Sequence, residues 1–172
     1  MMITLLAVGS ALTATHAFAA AGTVNFNGNI LDSACDVDVA SQNQVVVLGD
    51  YYKTEFPTTG ARTAATQFNI VLKNCPVTVT NAKVRFDGTP DATNSSLLAI
   101  DSSAAGAATG VAINLMSADK ADLPLHGSNS YSYVLSSTAD NTLSFYAQYI
   151  STAATVTAGP ANSVANFSVV YN

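Results

Sequence analysis

The chain has 172 residues, of which 49% are hydrophobic and only 10% are charged, and its net charge at pH 7 is −5. This length suits one domain, and the apolar fraction is high enough for a folded core, which excludes wholesale disorder. Six Lys and Arg residues are too few for a nucleic-acid-binding face. The polar surface must come mostly from Ser, Thr and Asn, a composition that favours an extracellular β protein.

The first nineteen residues have the pattern of an export signal. Residues 3–12 form an apolar run, and residues 17–19 (Ala-Phe-Ala) form a small-x-small cleavage site. The run is too short to span a membrane. No Lys or Arg precedes it, so we interpret residues 1–19 as a signal peptide truncated at its start; an uncleaved buried segment is the alternative. The mature chain is expected to begin near Ala20.

A short alternating segment follows at residues 22–31. Val24, Phe26, Gly28 and Ile30 fall on one face, and Thr and Asn residues fall on the other. This period of two predicts an extended strand. Edge strands usually carry charge or proline that prevents further pairing, and this segment carries neither. It is therefore suited to pairing with another strand.

The two cysteines, Cys35 and Cys75, lie forty positions apart. In an exported protein an isolated pair of cysteines is typically joined as a disulfide, and chain entropy would make such a bridge worth about 4 kcal/mol. Two free thiols are the alternative. A catalytic cysteine is disfavoured, because neither residue lies in a C-x-x-C motif and the mature chain has one histidine, His126.

The rest of the chain repeats period-two patterns separated by turn residues. Six or more strands at this spacing predict a β-sandwich of immunoglobulin type. A loop is favoured over a helix for the Ala-rich residues 102–109, because Ser and Gly interrupt them. The strands are expected around residues 45–48, 68–72, 77–86, 111–115, 143–150 and 167–171.

Candidate catalytic and metal sites are weak. Asp32, Asp36 and Asp38 alternate near Cys35, but alternate residues on one strand cannot surround a calcium ion, so a solvated face is favoured. His126 is interpreted as a solvated loop residue. We find no phosphate-binding loop, catalytic triad or metal-ligand spacing, and we expect neither an enzyme nor a cofactor.

Several motifs in order resemble the major-type subunits of chaperone–usher fimbriae, and type 1 fimbrial subunits in particular. They are Gly22-Thr23-Val24-x-Phe26-x-Gly28-x-Ile30, the Cys35/Cys75 pair, residues 44–49 (Gln-Val-Val-Val-Leu-Gly), residues 68–75, residues 110–115 with Leu123-Pro124-Leu125, and Gly159 followed by alternating Phe167, Val169 and Tyr171. The resemblance covers residues 20–172.

This resemblance implies an immunoglobulin-like sandwich that lacks its seventh strand, with a signal peptide (1–19), a donor-strand arm (20–31) and a pilin domain (32–172). The arm would insert Gly22, Val24, Phe26, Gly28 and Ile30 into the groove of a neighbouring subunit. A periplasmic chaperone would grip the strand marked by Gly159, Phe167, Val169 and Tyr171, and an outer-membrane usher would direct assembly of a fimbrium outside the cell.

The arm departs from the longest-armed members of this family. Only Ala20 and Ala21 would precede Gly22, so the role as a rod, minor or terminal subunit stays open. The alternative function is a self-complete secreted sandwich that binds a ligand such as a glycan. It would need aromatic residues at loop tips, for which Tyr51/Tyr52 and Tyr131/Tyr133 are the candidates.

Overall fold

The computed structural model describes residues 22–28, 30, 33–127 and 129–171. The predicted signal peptide at residues 1–19 lies outside these ranges. The chain divides into two units, Met1–Ile30 and Leu31–Asn172. In the first unit the described residues have no regular secondary structure. Among the described residues, no helix has the length and apolar character needed to cross a membrane.

The regular secondary structure of the second unit is almost entirely strand, which confirms the prediction of an all-β fold. Its regular helical segments are α1 (Val39–Gln42) and a 3-10 turn at Lys53–Glu55. The strands are β1 (Asp36–Val37), β2 (Thr66–Lys73), β3 (Asn81–Gly88), β4 (Leu98–Ala99), β5 (Val111–Met116), β6 (Tyr133–Val134), β7 (Asn141–Ser151) and β8 (Ala165–Tyr171).

These strands form two antiparallel sheets that pack as a sandwich. The five-stranded sheet has the order β1-β2-β7-β5-β4, and the three-stranded sheet has the order β6-β3-β8. In the three-stranded sheet, the central strand β3 pairs along its whole length with β8, from Ala82 opposite Tyr171 to Gly88 opposite Ala165. The last described strand of the chain therefore lies at a sheet edge.

The core lies between the inner faces of the two sheets. Phe145 on β7 is fully buried and contacts Phe68 of β2, Phe86 of β3 and Tyr133 of β6, with ring centroids 5.2–5.6 Å apart. Period-two alternation puts these side chains on the inner faces, as the sequence predicts. The aromatic cluster thus joins the two sheets at the centre of the sandwich.

The predicted disulfide is confirmed. Cys35 and Cys75 are bonded, and both residues are buried. The antiparallel pairing of β1 with β2 sets Asp36 opposite Lys73, which brings the two cysteines to the same end of this strand pair. The side-chain amide of Asn141 donates to Cys75 Sγ over 3.3 Å. The bridge therefore fastens β1, an edge strand, to the body of the five-stranded sheet.

Two predicted strands are wrong in detail, and one loop is confirmed. Residues 45–48 are not a strand, because no strand within the described ranges pairs with them. The strand expected from Val77 starts instead at Asn81, since Val77 lies in an exposed turn directly after Pro76. Residues 102–109 form a loop, as expected from their Ser and Gly content.

Candidate functional site: an open groove beside an unpaired strand edge

Strand β8 has one paired and one unpaired edge. It pairs with β3 and with no other strand of the described residues. Along it, Phe167, Val169 and Tyr171 turn toward the core and stay half-buried, whereas Ser168 and Val170 are exposed. Three of the four residues that the sequence assigned to a groove edge, Phe167, Val169 and Tyr171, therefore lie together on one face of an edge strand, and Gly159 lies before that strand.

The segment of residues 45–50 provides a second unpaired edge. Among the described residues, no backbone hydrogen bond involves this segment. The residues that precede this segment are anchored. The side chain of Asp38 caps α1 by accepting a hydrogen bond from the amide of Ala40. The side-chain amide of Gln44 donates a hydrogen bond to the carbonyl of Asn69. The segment itself has the sequence of a strand, and what it lacks is a partner.

A cavity of about 510 Å³ lies along these two edges. Residues 41–46 and Leu48 line one side, and residues 161–167 line the other. The bottom is made of core side chains from both sheets: Phe68, Ile70, Phe86, Leu98, Ile113, Leu115, Ala147 and Tyr149. We call this cavity the groove. Its bottom is the inner face of the sandwich, where Phe68 and Tyr149 are only partly buried and the remaining side chains are buried.

A second cavity adjoins the groove before the start of β8. It has a volume of about 460 Å³ and is lined by residues 45–51 and 156–162, together with Lys53, Phe56, Ala108, Val111 and Tyr149, so it includes the charged residues Asp50 and Lys53. Tyr149 lines both cavities, and its hydroxyl donates to the carbonyl of Ala161 over 2.9 Å. Burial raises the pKa of Tyr149, so this hydroxyl stays protonated at neutral pH.

Gly159 lies in the wall of this adjoining cavity, before β8 rather than on it. A Cβ atom on this residue would clash with the carbonyl oxygen of Gly106 and would come within 2.8 Å of the backbone of Ala107 and Ala108. Only glycine allows this close approach of two backbone segments. Family resemblance singled out this position in the sequence, and the structure gives the physical reason why the residue there is glycine.

The groove carries no charged side chain among its described lining residues. Its polar lining groups are neutral Ser, Gln, Asn and Tyr side chains. The nearest ion pairs are on the surface, such as Lys73 Nζ with Asp38 Oδ2 at 2.6 Å, where the hydrogen bond from Lys73 lowers the pKa of Asp38. A site of this kind favours an extended, uncharged, apolar segment, because a buried charge would lose its hydration.

The five residues that the sequence assigned to the donor arm belong to the first unit. Val24, Phe26 and Ile30 are 72%, 91% and 101% exposed, and Gly22 and Gly28 are also exposed. Large apolar side chains rarely stand so fully exposed on one face unless they bind a partner. The arm therefore presents a row of unburied apolar side chains.

The residues that the sequence analysis considered as catalytic or metal-binding candidates make hydrogen bonds at the surface. Asp36 accepts a hydrogen bond from Asn74, and Asp38 caps α1; Asp32 lies outside the described residues. Nδ1 of His126 lies 2.8 Å from Oδ1 of Asp87. Within residues 22–28, 30, 33–127 and 129–171, no cluster of three His, Cys, Asp or Glu residues is placed to hold a metal ion.

Comparison with known proteins identifies related chains over most of the length. The model of a family described as "Fimbrial protein" matches residues 24–172. The type-1 fimbrial protein A chain of Escherichia coli K12 is 40% identical over 167 residues, which are 93% of this chain and 91% of that protein.

Solved structures give the same picture. A type I fimbria protein from Burkholderia pseudomallei superposes with a TM-score of 0.62 at 38% identity, over 82% of this chain and 91% of that one. A subunit in the structure of a chaperone–usher pilus superposes with a TM-score of 0.67 at 27% identity, over 94% of this chain and 100% of that one. The incomplete immunoglobulin-like sandwich is therefore shared.

Proposed function

The chain belongs to the fimbrial protein family, and we propose that it is a structural subunit of a chaperone–usher pilus that polymerises by donor-strand exchange. The observation that carries this proposal is the groove, whose two facing edges are unpaired among the described residues and whose bottom consists of core side chains from both sheets. A sandwich in this state lacks one strand. The alternative of a self-complete sandwich lacks support, because Tyr51, one of its candidate aromatics, packs against Tyr149.

The N-terminal arm of another copy has the right length and pattern to be the missing strand. In strand conformation, residues 22–30 span about 26 Å, and β8 spans about 20 Å, so the arm can follow β8 along its full length. Val24, Phe26 and Ile30 would enter the groove between the two sheets. Gly28, on the same face, would lie where the groove is too shallow for a side chain. Both arm and groove are uncharged.

Insertion of the arm would be strongly favourable. Burial of Val24, Phe26 and Ile30 contributes about 1.5–3 kcal/mol for each side chain, as an upper estimate. Backbone hydrogen bonds to β8 on one side and to residues 45–50 on the other add about 0.5–1.5 kcal/mol each. Because the arm of one subunit fills the groove of the next, the contact is head-to-tail, and such contacts build open filaments.

Before assembly, the unpaired edge of β8 beside the groove would leave the subunit open to aggregation. A periplasmic chaperone that lends a strand to the edge of β8 would cover Phe167, Val169 and Tyr171 until an outer-membrane usher brings the next arm. Gly159, which lets residues 159–162 pack closely on the preceding loop, would shape the end of the site. Residues 1–19 would direct export, 20–31 would be the arm, and 32–172 the pilin domain. The subunit would then be non-catalytic and extracellular in the finished fimbrium.

A charge placed on the inserted face of the arm tests this proposal. In the mature full chain, Phe26→Asp would bury a carboxylate in an uncharged groove, and we expect loss of filaments by electron microscopy. Asn27→Asp adds the same charge on the opposite face of the arm and is expected to assemble like the wild type. Equal assembly of both variants would overturn the proposal.

A second measurement separates loss of the arm from damage to the groove. The Phe26→Asp chain keeps its acceptor groove, so a synthetic peptide of residues 20–31 should raise its melting temperature. The same peptide with Phe26→Asp should leave that temperature unchanged. A melting temperature that stays unchanged with both peptides would show that the sandwich is already complete.

A further inference from the structure

A second concave site lies on the opposite face of β3 from the groove. It has a volume of about 320 Å³, and its lining includes Lys83, Arg85, His126, Asn129 and Val170. Because neighbouring residues of a strand point to opposite faces, Val84 and Phe86 enter the core while Lys83 and Arg85 point outward. We call this cavity the outer pocket. Of β8, the strand that assembly would use, Val170 lines this pocket, on the face that points away from the core.

The outer pocket is basic in an acidic protein. Lys83, Arg85 and His126 line it, and none of its described lining residues is a carboxylate, although the chain has only six Lys and Arg and a net charge of −5. Lys83 and Arg85 are two positions apart on β3, so their side chains emerge side by side. Lys83 and Arg85 outnumber the adjacent carboxylate of Asp87, and this local excess of positive charge favours an anion.

Asp87 orients two of these basic groups from one side. Its Oδ1 accepts hydrogen bonds from Nε and Nη2 of Arg85 at 3.0 and 2.8 Å, and it lies 2.8 Å from Nδ1 of His126. The hydrogen bond from His126, followed by that from Arg85, lowers the pKa of Asp87, which is therefore ionised at neutral pH. Nη1 of Arg85 and Nε2 of His126 make no hydrogen bond among the described residues.

Asn129 supplies a buried donor that lacks an acceptor. The residue is only 5% exposed, and its Oδ1 accepts a hydrogen bond from the amide of Tyr131 over 2.7 Å, which fixes the orientation of the side-chain amide. Its Nδ2 is buried and has no hydrogen-bond partner among the described residues. Buried donors of native proteins are almost always satisfied, and Asn129 also lines the outer pocket, so an acceptor bound deep in the pocket would satisfy this amide.

We propose that Lys83, Arg85, His126 and Asn129 form a binding site for a small oxyanion, a carboxylate or a sulfate group. Arg and Lys supply charge-assisted hydrogen bonds, which are stronger than neutral ones, and Asn129 Nδ2 supplies a neutral bond from the buried side. The volume is at the lower limit for ligand pockets and suits a group no larger than one sugar. Val170, half-exposed, adds an apolar wall for the body of such a ligand. The site is independent of donor-strand exchange.

Calorimetry of the full chain with its disulfide intact tests the proposal, with inorganic sulfate, glucuronate and glucose as probes at low ionic strength. We expect sulfate or glucuronate to bind and glucose, which lacks the charged group, not to bind. Glucuronate binding at least about tenfold tighter than sulfate would identify a carboxylated sugar as the source of the anion. Comparable affinities would identify free oxyanions. Failure of both anions to bind would overturn the proposal and leave water as the acceptor for Asn129.

The variants are chosen to keep the fold. Asn129→Asp retains Oδ1 for the amide of Tyr131 and replaces the donor with a carboxylate oxygen, so anion affinity should fall at least about tenfold. Lys83→Gln should weaken binding several-fold without touching the core. Lys120→Gln is the matched control: it removes the same charge from a side chain that lies over the Tyr146 ring, outside the pocket, and should leave affinity unchanged. Equal effects of Lys83→Gln and Lys120→Gln on anion affinity would show that only non-specific charge attracts the anion, and would overturn the proposal.

Discussion

The hydroxyl of Tyr171, at the end of β8, donates a hydrogen bond to the backbone carbonyl of Cys35 over 3.4 Å. The two residues lie near opposite ends of the folded domain's sequence and are associated with different sheets. Cys35 directly precedes β1, the edge strand of the five-stranded sheet, and Tyr171 ends the edge strand of the three-stranded sheet. The contact joins the two sheets where both have an open edge.

Tyr171→Phe should destabilise the domain by about 0.5–1.5 kcal/mol, because it removes this hydrogen bond and keeps the ring. Burial raises the pKa of Tyr171 above its ordinary value of 10.0. The stability linked to this group is therefore present below pH 10 and is lost as the pH rises through the folded-state pKa. Urea unfolding between pH 8 and 11 should show the advantage of the wild type shrinking at high pH. Tyr52→Phe, at an exposed ring, should change nothing.

Removal of the disulfide should cost about 2–5 kcal/mol of unfolding free energy. The Cys35→Ala/Cys75→Ala variant frees the edge strand β1 and increases the number of conformations available to the unfolded chain. Chemical denaturation of oxidised wild type, reduced wild type and variant gives the measurement. Reduction should have no further effect on the variant, and a variant as stable as the oxidised wild type would contradict the role of the bridge.

Gly159→Ala should destabilise the domain by about 1–3 kcal/mol through overpacking. The new Cβ would meet the backbone of residues 106–108, so the adjoining loop has to move away from the end of the groove. Gly22→Ala is the control, because a Cβ at Gly22 meets nothing within 4 Å. A thermal melt of each variant suffices, and an unchanged melting temperature for Gly159→Ala would show that the loop adjusts freely.

Asp122→Asn should lower stability at neutral pH by up to about 1 kcal/mol, since the ion pair it breaks is half-exposed and screened by water. Arg62 Nη1 and Nη2 each lie 3.1 Å from a different oxygen of Asp122, and Asn114 donates to Oδ1 over 2.7 Å. The hydrogen bond from Arg62 lowers the pKa of Asp122 below its ordinary value of 3.8.

The stability from this lowered pKa is present above pH 3.8 and is lost as the pH falls through the folded-state pKa. Thermal melts of wild type and Asp122→Asn should therefore converge below that pH. A difference that persists in acid would assign the effect to the amide substitution itself, and not to the ion pair.

Much of the fold was predictable because its signals are local. Alternation in residues 68–72, 111–115, 143–150 and 167–171 predicted β2, β5, β7 and β8, since a strand with one buried face records that burial in its own sequence. The pairing of Cys35 with Cys75 followed from their number and the predicted export. The last strand was predicted in the same way, whereas the donor arm stays a prediction.

Other features could not be read from any one segment. Residues 45–48 have the composition of a strand, yet a strand exists only where a partner supplies hydrogen bonds, and none of the described residues supplies them. The bottom of the groove is assembled from β2, β3, β4, β5 and β7, and no local pattern shows which of their side chains line it.

The sequence alone determined which residues face inward, because side-chain periodicity and hydrophobicity are properties of a single segment. Tertiary structure alone decided which edges lack a partner, and it alone brought His126 and Asn129 beside Lys83 and Arg85, because both depend on pairings between distant segments. Hydrogen bonding between strands and the approach of separated loops are non-local, so they take definite form only when the whole sandwich has folded.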